Sequence, residues 1–133
     1  MKVLFVCSGN AYRSPVAEAL LKKFKPEIDV DSAGINAPLI PFSKVVRKYL
    51  ARENAEQYLK KVPEDLDSKQ LDECDLIIAM EPRHKVAVLT KCPECENKIV
   101  VWNIYDSYFF PHDYSEKIFE QIKQKVKELA DSL

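Results

Sequence analysis

Four short runs of β-branched and large apolar residues, separated by stretches whose apolar residues recur at helical spacing, limit this chain to few architectures. The runs are residues 2–6, 28–32, 75–80 and 98–102. Each is too short for a helix and reads as a strand buried in a sheet. The stretches between them supply the cover. Ser14 can cap a helix with Pro15 in its first turn, and Val16, Ala17, Leu20, Leu21 and Phe24 line one face. Pro41 opens a second helix with Phe42, Val45, Val46, Tyr49 and Leu50 as its stripe, and residues 82–90 suit a third. Asp113 stands at the N-cap of the last, with Glu116 three residues on and Ile118, Phe119, Ile122, Val126 and Leu129 following. Strands alternating with helices predict an α/β fold with a mainly parallel sheet covered on both faces. Residues 54–67 lack a clean period and are expected to be irregular, and residues 103–112 form a long aromatic loop.

Length and charge narrow the function. At 133 residues the chain suits a single domain spanning 1–133. Twenty Lys plus Arg balance twenty-one Asp plus Glu, so no global field draws it to nucleic acid or to an anionic membrane. Its first residues do not resemble a signal peptide, and no run approaches the roughly 18 apolar residues of a membrane span. Four cysteines without a secretion signal point to a reducing, cytoplasmic setting and to thiol chemistry. A monomer is expected.

The chemistry lies between the first strand and the first helix, in Cys7-Ser8-Gly9-Asn10-Ala11-Tyr12-Arg13-Ser14. A loop at that junction can turn successive N–H groups inward, and the helix N-terminus adds partial positive charge, which together suit a dianionic phosphate. Gly9 permits a positive φ there, and Asn10 tolerates the left-handed region while offering an amide to fix the loop. The same field favours a thiolate at Cys7, a competent nucleophile, to which Ser14 can donate a hydrogen bond. Arg13 has the planar fork that grips two phosphate oxygens, and it can tighten as charge shifts in the transition state. A cysteine ending a first strand is commonly a small buried hydrophobe, and its spacing to an arginine recurs by chance. Gly9, Asn10, Ser14, Pro15 and the strand–loop–helix context carry the stronger reading.

The run from Val3 to Glu18 resembles the signature of the low-molecular-weight protein tyrosine phosphatases. Asp31-Ser32-Ala33-Gly34 resembles the segment after that family's second strand, and Asp75-Leu76-Ile77-Ile78-Ala79-Met80 its third strand. The resemblance implies a three-layer α/β/α fold with a four-stranded parallel sheet. It implies a cysteinyl-phosphate intermediate, no metal or other cofactor, and phosphotyrosine-containing proteins as substrates. Ser8, Gly9, Asn10, Ala11, Tyr12 and Ser14 would bind phosphate beside the catalytic Cys7 and Arg13.

Expulsion of a phenolate needs a carboxylic acid across the scissile bond. The position matching the family's acid is Asp106, although Ser107 follows where the family has proline; Asp113 competes, with helix capping as its alternative role. Tyr108 and Phe109 resemble the family's aromatic walls, or else simply pack the loop. Tyr12 occupies the place of a second, protective cysteine found in many members. Ala11 matches neither the threonine of an arginine-phosphate phosphatase nor the isoleucine frequent in tyrosine phosphatases. Cys92 and Cys95 are by spacing a zinc half-site, a redox pair or two inert thiols, and surface or packing roles are expected for His84 and His112. Two rival readings remain: a thiol-dependent arsenate reductase of the same fold, with Met80 where its second cysteine belongs, and a phosphate-binding module without turnover.

Overall fold

The computed structural model describes residues 1–38, 40–106 and 114–133. Its strands are β1 (Lys2–Cys7), β2 (Asp29–Gly34), β3 (Leu76–Ala79) and β4 (Ile99–Val101). They form one four-stranded sheet in the order β2-β1-β3-β4, and every pairing is parallel. The helices are α1 (Arg13–Phe24), α2 (Lys44–Arg52), α3 (Pro82–Lys91) and α4 (Tyr114–Ser132).

The two-residue period of a strand sends alternate side chains of β1 to opposite faces. Val3, Phe5 and Cys7 pack with Val16 and Leu20 of α1, Val46 and Leu50 of α2, and Ile122 and Val126 of α4. Leu4 and Val6 pack with Val88 of α3 and with Leu66, Leu71, Cys92 and Cys95. Both faces of the sheet are therefore covered, giving three layers. Each large side chain so buried contributes about 1.5–3 kcal/mol, and Phe5, Leu4 and Leu20 are all at most 1% exposed.

Some boundaries differ from expectation. Helix α1 starts at Arg13 with no side-chain cap, so Ser14 is not its cap; the hydroxyl is used elsewhere. Helix α2 starts at Lys44 and not at Pro41, because Ser43 accepts a hydrogen bond from the Val46 N–H at 3.4 Å and fixes the first turn. That register turns Val45 outward to 50% exposure, away from the stripe assigned to it. The region 54–67 holds short 3₁₀ turns at Glu56–Tyr58 and Leu66–Ser68. The expected caps and walls at Asp113, Tyr108 and Phe109, together with His112, lie outside the described residues. Among the described residues no helix is long and apolar enough to cross a membrane.

The strand order decides where a ligand can sit. The chain leaves β1 through α1 to β2 on one side, then crosses β1 to build β3 on its other side. At such a switch the loops after β1 and β3 diverge and open a crevice at the carboxyl ends of the strands.

Candidate active site

The segment from Cys7 to Arg13 lies at this crevice. The Ile35 N–H donates to the Cys7 carbonyl at 3.1 Å and the Asn36 N–H to the Ser8 carbonyl at 2.9 Å. A planar trans peptide opposes its C=O and N–H, so anchoring these carbonyls on the chain beyond β2 aims the Ser8 and Gly9 N–H groups the other way. Beneath the loop lies Gly34, the last residue of β2. A Cβ there would stand 2.6 Å from the Asn10 nitrogen and 2.6 Å from the Gly9 carbonyl carbon, so only glycine lets the loop settle on the strand end.

The left-handed residue of the loop is Asn10, with φ of 52°; Gly9 does not take the positive φ expected of it. Asn10 is wholly buried and holds the conformation with its side-chain amide. Its Nδ2 donates to Ser14 Oγ and to Ser32 Oγ, both at 2.8 Å, while its Oδ1 accepts from the Glu64 N–H at 2.8 Å and from Lys60 Nζ at 3.4 Å. Since Ser14 Oγ accepts from Asn10, its own proton is available to Cys7 Sγ, 3.0 Å away. Ser14 thus serves the sulfur, as expected from the sequence.

Arg13 is 2% exposed, and a buried guanidinium requires partners on all sides. Nη1 donates to Glu81 Oε2 at 2.5 Å and to the Ile104 carbonyl at 2.8 Å. Nη2 donates to Ser8 Oγ at 3.2 Å and lies 3.5 Å from Asp106 Oδ2. Three loops meet on this side chain. Glu81 follows β3, and Ile104 and Asp106 follow β4, where the Ile104 N–H bonds the Met80 carbonyl at 2.8 Å. Burial raises the Glu81 pKa, but hydrogen bonds from Arg83 and Arg13 outweigh it and hold the carboxyl below its usual range.

Sequence reasoning brought Cys7, Arg13, Ser14 and Asp106 to one site and missed its supports. Glu81 and Arg83 were not singled out, and His84, given only a surface or packing role, is wholly buried against Ser8. The available signal was position, because they directly follow the strand next to β1. Lys60 was missed for the opposite reason, lying in a region without period. Its Nζ reaches the Ser32 carbonyl at 2.7 Å, Glu64 at 2.5 Å and Asp31 at 3.2 Å, while Glu18 accepts from Ser32 Oγ at 2.5 Å. This polar wall backs Asn10. Burial raises the Asp31 pKa, but Lys69 and Lys60 reverse the effect and leave it lowered.

Cys92 and Cys95 form a disulfide, with Cα atoms 5.4 Å apart. They pack with buried, free Cys74 in the cluster on the sheet face opposite Cys7. An arsenate-reductase relay would have to carry electrons from that face to Cys7 on the other. Among the described residues no group of three or more His, Cys, Asp or Glu is arranged to hold a metal ion.

A cysteine at the start of a backbone-lined loop, closed by an arginine that an aspartate approaches, on a parallel α/β sheet, has the parts of a phosphate-handling class of protein. The sequence model described as low molecular weight phosphotyrosine protein phosphatase matches residues 2–133, and the chain belongs to that family. Among curated relatives, the low molecular weight protein-tyrosine-phosphatase Wzb of Salmonella typhi is 30% identical over 99% of this chain and 93% of its own length. A low molecular weight protein tyrosine phosphatase from T. tengcongensis superposes with a TM-score of 0.87 at 28% identity, covering 100% of this chain and 99% of that one. The YwlE arginine phosphatase from Geobacillus stearothermophilus superposes at 0.86 with 26% identity, covering 98% and 91%.

Proposed function

We propose that the chain hydrolyses phosphotyrosine and small aryl phosphates through a cysteinyl-phosphate intermediate. The observation that carries this reading is the 3.0 Å contact of Ser14 Oγ with Cys7 Sγ, beneath a loop whose arginine is locked by Glu81 and the Ile104 carbonyl. The N–H groups of the loop and Arg13 hold the phosphate dianion. The Cys7 sulfur forms an S–P bond as the P–O bond to the phenolic oxygen breaks, and Asp106 gives its proton to that oxygen. Asp106 then takes a proton from water as the water oxygen attacks phosphorus, the S–P bond breaks, and inorganic phosphate leaves. Arg13 stabilises the charge that shifts onto the equatorial oxygens in both steps.

The test is steady-state hydrolysis of p-nitrophenyl phosphate and of a phosphotyrosine peptide in the presence of a chelator. Cys7→Ser should abolish turnover while keeping phosphate binding. Asp106→Asn should lower kcat on the phosphopeptide by roughly 10²-fold, and much less on the activated ester. Activity of Cys7→Ser near that of the unmodified chain overturns the reading. Because the similar fold from Geobacillus stearothermophilus is an arginine phosphatase, a phosphoarginine peptide is the competing substrate, and its faster hydrolysis reassigns the leaving group but not the nucleophile.

A further inference from the structure

Resting on that reading, we infer that Ser8 donates its hydroxyl proton to the bound phosphate and that His84, buried behind it, is the positioning residue that aims this proton. The argument is a count of donors and lone pairs. The Glu81 N–H donates to His84 Nδ1 at 3.0 Å, so Nδ1 carries no proton. A neutral imidazole then has its proton on Nε2, and that N–H, 3.0 Å from Ser8 Oγ, donates to it. Arg83 Nη2 donates to the same oxygen at 2.6 Å and Arg13 Nη2 at 3.2 Å.

Three N–H donors thus converge on a hydroxyl that has two lone pairs and one proton. None of the three can accept that proton. It turns from all of them, on a side chain that is itself only partly buried at the mouth of the loop. A phosphate oxygen that draws Arg13 Nη2 to itself must lie beside Ser8 Oγ, because those atoms are neighbours already. The exchange closes the count: His84 and Arg83 fill the lone pairs, and the proton goes to phosphate. The wholly buried ring of His84 fits this task. Burial, and then the nearby Arg13 charge, bring its pKa down to about 4, so it stays neutral where a phosphate dianion exists. Arg83, which also grips both Glu81 oxygens at 3.1 and 3.2 Å, holds Ser8 from the solvent side.

The experiment measures the inhibition constant of inorganic phosphate and kcat/KM for p-nitrophenyl phosphate in the full chain and its variants. Ser8→Ala should weaken phosphate inhibition and lower kcat/KM about tenfold each, as for loss of a hydrogen bond to a charged group, and Ser8→Thr should restore both. His84→Phe should match Ser8→Ala, and the double variant should lose no more than either alone. In the unmodified chain, ¹⁵N shifts of the His84 ring should show Nε2 protonated and Nδ1 bare from pH 6 to 8. Unchanged phosphate inhibition in Ser8→Ala, or a protonated Nδ1, overturns the inference even if His84→Phe fails to fold. The two readings fail separately. A chain that turns over aryl phosphate with no dependence on Ser8 sinks only this inference, whereas Ser8-dependent phosphate binding without turnover supports it and sinks the phosphatase reading.

Discussion

Asn10 concentrates more of the site's geometry than any other side chain. It holds a left-handed backbone that costs an ordinary residue roughly 1–2 kcal/mol, and its amide meets Ser14, Ser32, Lys60 and the Glu64 N–H. Asn10→Gly removes the bonds without the strain, and Asn10→Ala removes the bonds and keeps it. We expect both variants to lose at least tenfold in kcat/KM, with Asn10→Ala melting lower by a further ~1 kcal/mol in a thermal denaturation series. Equal melting of the two would contradict the strain. His84 gives a second prediction at this scale. Buried behind Ser8 and facing Arg13, Arg83 and Glu81, it takes a proton in the native chain only near pH 4, against 6.5 as its ordinary value. Between those values the unfolded chain binds more protons. The stability is fully present above pH 6.5 and drains as pH falls toward 4, by on the order of 3 kcal/mol. Lowered Asp31, Glu64 and Glu81 act in the same direction at lower pH. Urea unfolding of His84→Gln from pH 7 to 4 should therefore show a shallower slope than the unmodified chain, and an identical slope would exclude His84 as the source.

Helix α3 joins two chemistries at its ends. Its first turn carries Arg83 and His84 to the loop after β1, and just past its last turn the Cys92–Cys95 disulfide is buried among Leu71, Cys74 and Val88. The bridge closes so short a segment that its effect on the unfolded chain is small, about 2 kcal/mol. We expect the double variant Cys92→Ser, Cys95→Ser to lose about that much stability while hydrolysing aryl phosphate within about twofold of the unmodified rate, since the pair faces away from Cys7. A collapse of turnover at preserved fold would tie the bridge to the site. What the sequence disclosed follows element by element. The strands and α1, α3 and α4 were legible because apolar periodicity is a local signal. The Cys7–Arg13 loop was legible because it lies between a strand and a helix that local signals mark. Glu81 and His84 were not, because they join the site through strand order, a property no short window contains, and Lys60 was not, because it lies in a region without period. Gly9 misled for a related reason: glycine signals freedom, yet the bend was assigned to Asn10 by partners from β2, α1 and the segment before Leu66.

For the molecule as a whole, the order β2-β1-β3-β4 sets the first strand between neighbours drawn from both directions along the chain. The described residues of the candidate site therefore gather at the carboxyl edge of a single sheet, while the two cores beneath it do the folding. The guanidinium of Arg13 is where this arrangement has its widest reach, because it is shared between Glu81, the Ile104 carbonyl and Asp106. The loop and its cysteine come from the first strand and helix, but the carbonyl that fixes the arginine comes from the segment after the last strand, ninety-one positions further along. The fixed guanidinium therefore depends on both ends of the sheet, and a chain shortened before Ile104 would keep the loop but lose the brace that holds Arg13 in place.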